Sequence, residues 1–160
     1  MASDQTVYRA RDFSFFVSAR FLATVAMQVQ SLAIGWQIYN IENSALALGF
    51  VGLCQFAPMF LLTLPAGEVT DRFDQRRVLA LAYWAEAACG VLFALLSLFD
   101  PKNSIAFFGV LVLFGSARAF AGPAGSSLLP FLVPPENLPR AIALNSSVFT
   151  TAVIAGPAIG

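Results

Sequence analysis

The chain has 160 residues, of which 58% are hydrophobic, 13% aromatic and only 11% charged, with nine basic and nine acidic groups and no histidine. A soluble domain carries about 25% charged residues, so this composition excludes an ordinary water-soluble fold and describes a polytopic membrane protein. The net charge of zero hides an uneven placement, and placement is what a membrane reads.

Residues 1–12 hold Asp4, Arg9, Arg11 and Asp12 and read as a cytoplasmic N-terminal segment. The acids beside the arginines, the long apolar run that follows and the lack of a small-residue cleavage site argue against a secretory signal. Apolar runs at 13–39, 45–65, 78–99, 105–129 and from 141 onward predict five membrane helices. Each has roughly 20 to 25 residues, which at about 1.5 Å per residue matches a hydrocarbon core about 30 Å thick. The intervening turns combine Glu42, Asn43 and Ser44; Asp100, Pro101, Lys102, Asn103 and Ser104; and Pro134, Pro135, Glu136 and Asn137. These residue types favour turns and helix caps, and Ser44 and Ser104 are the expected N-caps.

Between the second and third runs, positions 67–77 hold six of the eighteen charged residues. This stretch is expected to be a short loop outside the hydrocarbon, because an apolar run in lipid must satisfy its backbone internally. Arg9, Arg11, Arg72, Arg76, Arg77 and Arg140 fall on one side of the predicted membrane and Lys102 on the other. The positive-inside bias puts the N-terminus, the 67–77 loop and the loop at 134–140 in the cytoplasm of the cell (inner) membrane. Arg72, Arg76 and Arg77 can lie against anionic headgroups there, while Asp71 can cap the third helix or pair with one of them.

Three ionisable residues fall inside spans, Arg20, Glu86 and Arg118, and each costs on the order of 2.5 to 3.5 kcal/mol without compensation. Counted from the predicted cytoplasmic ends, Arg20 lies about 10 Å in, Glu86 about 12 Å and Arg118 roughly 10 to 16 Å. The shared level predicts that Glu86, the one acid within a span, neutralises one of the two arginines. The alternative is that Arg20 snorkels to the interface and Glu86 faces a water-filled crevice.

In the first span Gln28, Gln30 and Gln37 are candidates for a substrate path, Gln30 and Gln37 sharing a face at seven residues apart. Interhelical glue is an equal reading of the same amides. Pro58 and Pro157 can bend their helices. Cys54 and Cys89 read as small packing residues. Enzyme chemistry has little support: there is no Cys-x-x-Cys pair, no pair of carboxylates in one span and no glycine-rich phosphate loop, and Ser116, Ser126 and Ser127 have only an arginine nearby. No catalytic residue, metal site or cofactor is expected, and nothing points to nucleic acid.

Taken together, Gly67-x-x-x-Asp71-Arg72-x-x-x-Arg76-Arg77 after the second span, Arg118-x-x-x-Gly122 in the fourth, Gly156-Pro157-x-x-Gly160 in the fifth and the first-span glutamines resemble the major facilitator superfamily. The first-span, second-span and loop segments are similar to bacterial multidrug and siderophore-type exporters. The resemblance implies an all-α membrane bundle, the first five helices of a 12-helix fold, with residues 13–160 an incomplete six-helix transporter half. It further implies proton-coupled efflux of a small molecule by alternating access. Gly67, Asp71, Arg72, Arg76 and Arg77 would form a conformational latch against the second half of the same chain. Arg118 and Gly122, with Glu86 and Arg20, would serve the cavity and proton coupling, and Gly156, Pro157 and Gly160 would pack helices. Asp74 stands where the family pattern has glycine, and it is expected to carry the tight turn because Asp tolerates the left-handed backbone. The apolar run still open at Gly160 reads as an N-terminal fragment. The alternative function is a membrane scaffold or assembly subunit that moves nothing.

Overall fold

The computed structural model describes the backbone of residues 2–99 and 102–159, and the side chains of 12–99 and 102–158. Five long helices follow one another: α1 (Ala2–Glu42), α2 (Ala45–Arg72), α3 (Gln75–Phe99), α4 (Ser104–Leu132) and α5 (Leu138–Ile159). A single 3-10 turn, Pro135–Asn137, precedes α5. All five helices are long and apolar enough to cross a membrane, and the chain is a multi-pass membrane protein.

Two compact units divide the chain, one of Met1–Val29 with Ser126–Gly160 and the other of Gln30–Gly125. Helices α1 and α4 contribute to both. The larger unit is built around aromatic packing: Phe93 stacks on Phe107 with ring centres 6.2 Å apart and meets Phe114 edge-on at 6.5 Å. Ile38, Phe107, Leu111 and Phe114 are fully buried. By contrast Leu64 is 85% exposed, Phe99 82% and Ile105 83%. Such surfaces suit hydrocarbon, where no hydrophobic force drives helices together and close packing takes over. Gly115 provides that packing: a Cβ there would run into the Gln55 carbonyl oxygen, so α4 crosses α2 at backbone contact.

The connections bear out the turn chemistry and correct its details. Asn43 ends α1 with φ 50°, its N–H reaching the Tyr39 oxygen at 2.8 Å, a left-handed geometry that Asn tolerates. Ser44 caps α2 as expected, its hydroxyl oxygen accepting from the Leu46 N–H at 3.2 Å. The cap of α4 is Asn103 and not Ser104: the Asn103 side-chain oxygen accepts from the Ala106 N–H at 3.1 Å, and Ser104 is already helical. Asp100 and Pro101 lie outside the described residues.

The stretch at 67–77 is not a loop. Helix α2 continues through Gly67 to Arg72, and only Phe73 and Asp74 separate it from α3. Beyond the hydrocarbon a helix need not stop, and this one has local support: Arg72 pairs with Glu68 at 2.6 Å, Thr70 is buried, and the Phe73 N–H closes on the Val69 oxygen at 3.0 Å. Arg72 also meets the negative end of the helix dipole. Pro65, the expected end of the span, sits inside α2, where a proline removes one backbone donor without ending a membrane helix. Asp74 does not take the left-handed conformation, since among the described residues other than glycine only Asn43 has positive φ. It caps α3 instead, its carboxylate accepting from the Arg76 N–H at 2.8 Å.

In the smaller unit Gly156 lies against Gln28: an added Cβ would come within 2.5 Å of the Gln28 Cβ. Phe16, Leu128, Leu129, Leu132, Ala141 and Ala152 are buried. Seven hydroxyls along the helices fold back on their own backbone. Thr24 bonds to the Arg20 oxygen, Thr63 to Met59, Thr70 to Ala66, Ser116 to Val112, Ser147 to Ala143, Thr150 to Ser146 and Thr151 to Ser147, at 2.7–2.9 Å. This four-residue back-bond satisfies a hydroxyl where no water is present.

Candidate functional site

The polar heart of the larger unit is the Gln55 amide. Its oxygen accepts the Arg118 guanidinium at 3.3 Å and the Ser31 hydroxyl at 3.2 Å, so one side chain of α2 joins α4 and α1. Gly115, three residues before Arg118, brings the two backbones close enough for this bond. Arg118 also lies over the Phe114 ring, 5.9 Å from its centre. Cation–π contact of this kind contributes about 0.5 to 2 kcal/mol, and a hydrogen bond to a charged group about 1.5 to 3. Together they offset the insertion cost of one arginine.

Glu86 of α3 is half-buried and interacts electrostatically with Arg118. The two groups attract without a direct bridge, since no carboxylate oxygen lies within 4.0 Å of the Arg118 guanidinium among the described residues. Arg118 is therefore held directly by a neutral amide and at longer range by an acid. Gly122, one turn further along α4, is exposed, and a Cβ there would meet nothing within 4 Å.

The three glutamines of α1 separate. Gln28, in the smaller unit, donates to the Val153 oxygen of α5 at 3.5 Å. Gln30 and Gln37 turn toward α3: the Gln30 amide oxygen stands 3.2 Å from where a Gly90 Cβ would be, and Gln37 accepts from the Ser97 hydroxyl at 3.0 Å. These pairs line a cavity of about 260 Å³ together with Phe93 and Phe107. The Gln30 amide nitrogen is buried there with no partner among the described residues. A seven-residue interval on α1 thus meets a seven-residue interval on α3, as two helices running side by side require.

Arg20 belongs to the smaller unit, where its guanidinium lies over the Phe149 ring of α5 at 5.9 Å. Of the residues expected to form a latch, Asp71, Arg72, Arg76 and Arg77 are exposed, Arg72 being occupied by Glu68. Asp71 neither caps α3 nor pairs with a described arginine, because Asp74 and Glu68 take those places. Gly67 is half-exposed with open space where a Cβ would stand. Pro157 is exposed within α5, and Gly160 lies outside the described residues. Cys54 and Cys89 are free thiols. No group of three metal-ligating side chains occurs among the described residues. Sequence reasoning missed Gln55 as a site residue. The available signal was an uncharged amide in the middle of the second span, no different in kind from the glutamines of the first.

A family profile described as transmembrane secretion effector matches residues 2–160. The chain is similar to the staphyloferrin A transporter of Staphylococcus aureus, at 23% identity over 149 residues, covering 91% of this chain and 37% of that protein. It is similar to multidrug efflux pump Tap of Mycobacterium tuberculosis at 28% over 148 residues, covering 89% and 35%. Macrolide efflux protein A of Streptococcus pyogenes matches at 23% over 138 residues, covering 86% and 34%. The chain spans 34–37% of the length of these relatives. No solved structure matches it.

Proposed function

Because the chain belongs to the transmembrane secretion effector family of the major facilitator superfamily, we propose that it supplies the first five helices of a secondary transporter that exports a small molecule. The observation that carries this reading is the Gln55 amide oxygen accepting from both Arg118 and Ser31, with Glu86 acting on Arg118 from α3. A charge held in mid-span by a neutral amide on one side and an acid on the other can exchange partners as that acid gains or loses a proton. Such an exchange couples proton movement to helix movement, and Gly122 leaves room for α4 to shift. The names of the relatives, which include a siderophore transporter and two drug-efflux proteins, support export as its direction.

In this reading alternating access rocks residues 13–160, as part of one transporter half, against a second half of the same chain. Asp71, Arg76 and Arg77, exposed beside the two-residue turn at Phe73 and Asp74, meet that second half as a latch. Gly67 leaves space for the partner helix to approach. Gln30 and Gln37 line the substrate path, and Gln28, Gly156 and Pro157 fix α5 against α1. The N-terminus and the 67–77 stretch face the cytoplasm of the inner membrane, where the basic residues gain from the positive-inside bias.

The test is transport by inside-out vesicles that carry the protein, using a panel of fluorescent drug-like and siderophore-like compounds. Accumulation of at least one compound that collapses with the pH gradient supports proton-coupled export. Accumulation that survives collapse of the gradient assigns another coupling ion. No accumulation above control vesicles for any compound removes the export reading.

A further inference from the structure

We infer that Arg20 and Asn145 form an oxyanion-binding site between α1 and α5. A guanidinium remains protonated in proteins, so Arg20 carries a full positive charge about 12 Å along α1 from Asp12. One of its terminal nitrogens, Nη1, is buried and has no hydrogen-bond partner among the described residues. Its guanidinium carbon lies 5.9 Å from the centre of the Phe149 ring. That contact offsets only part of the cost of placing a guanidinium within a membrane span. The charge is left under-compensated.

The carboxylates with described side chains in the same unit, Asp12 and Glu136, are both exposed, and no carboxylate oxygen lies within 4.0 Å of Arg20 among the described residues. Thr24, whose hydroxyl donates to the Arg20 carbonyl oxygen, is neutral and supplies no compensating charge. Asn145 stands one turn before Phe149 on α5, and its side-chain oxygen is likewise buried and unpartnered among the described residues. Turning that amide over presents an N–H in place of the oxygen. The neighbourhood then offers a planar guanidinium and an amide donor from facing helices, with an aromatic wall.

A carboxylate or phosphate satisfies this arrangement best, since the fork of N–H donors matches two oxygens of one anion. The phosphate can belong to a lipid headgroup or to a soluble molecule, and the chemistry of recognition is the same.

The experiment is thermal unfolding of the full-length protein in phosphatidylcholine nanodiscs at fixed ionic strength, titrated in one arm with inorganic phosphate and in the other with phosphatidylglycerol. The wild type is expected to rise in melting temperature and saturate in at least one arm. A response to phosphate assigns a soluble oxyanion, and a response to phosphatidylglycerol alone assigns a headgroup. Arg20→Gln should weaken the apparent affinity at least tenfold, Asn145→Ala several-fold, and Arg20→Lys less than Arg20→Gln. The site is overturned if neither titrant shifts the wild type, or if Arg20→Gln binds as the wild type does. Should Arg20→Gln fail to fold, Asn145→Ala decides, because it keeps the charge in place: unchanged affinity in that variant sinks the two-residue site.

Discussion

Gln55 and Arg118 are joined across α2 and α4 at 3.3 Å, and they meet because Gly115 has no side chain where the helices cross. The backbone contact and the charged hydrogen bond lie within one helical turn of each other. Packing and polarity are therefore set by the same crossing.

Gly115→Ala should destabilise the protein by about 1 to 3 kcal/mol through overpacking, because the new methyl group meets the rigid Gln55 carbonyl. Gly109→Ala, where a Cβ meets nothing within 4 Å, should be neutral or stabilising by up to about 1 kcal/mol from helix propensity. Thermal unfolding in nanodiscs separates the two. Equal effects from both variants would remove the close crossing.

Gln55→Leu keeps the volume and removes the acceptor that Arg118 and Ser31 share. The loss should be about 2 to 3 kcal/mol of stability for a bond to a charged group, with transport reduced at least tenfold. In a double-mutant cycle with Arg118→Gln the two effects should be strongly non-additive. Additive effects would mean that the bond does not form in the membrane.

Asp74→Ala should cost about 1 kcal/mol, since it removes the cap from the Arg76 N–H. Glu68→Gln should cost less than about 0.5 kcal/mol, because its pair with Arg72 is exposed at 63% and 73% respectively and is screened by solvent. Unfolding midpoints of the two variants at low and high salt provide the check.

Gly156→Ala should destabilise the α1–α5 contact by about 1 to 3 kcal/mol, because its Cβ would press on the Gln28 Cβ, close to the α1 backbone. Gly122→Ala, with open space, should leave the unfolding midpoint unchanged. A fall in transport by Gly122→Ala at constant stability would mark that opening as needed during the cycle, and unchanged transport would release Gly122 from it.

Spans and turns were legible in the sequence because both rest on local chemistry. Apolar length fixes the helix count, and Asn43 and Ser44 are a helix stop and a start in adjacent positions. Helix ends were less legible. Polar residues from Glu68 to Arg72 can leave the hydrocarbon while remaining helical, and only the Glu68–Arg72 pair and buried Thr70 show that they do. Among the first-span glutamines, Gln28 and Gln30 are about 200° apart on a helix, so their different neighbours follow from spacing. Which neighbours they meet depends on the register of other helices. Gln55 stayed hidden for that reason: its role exists only where Gly115 and Arg118 of α4 pass it.

The back-bonded hydroxyls of α5 give that helix a surface of dual solubility. Ser147, Thr150 and Thr151 are exposed, yet each is already hydrogen-bonded to a backbone oxygen one turn earlier. Such a flank can slide from oil to protein and back without shedding or recruiting a hydration shell.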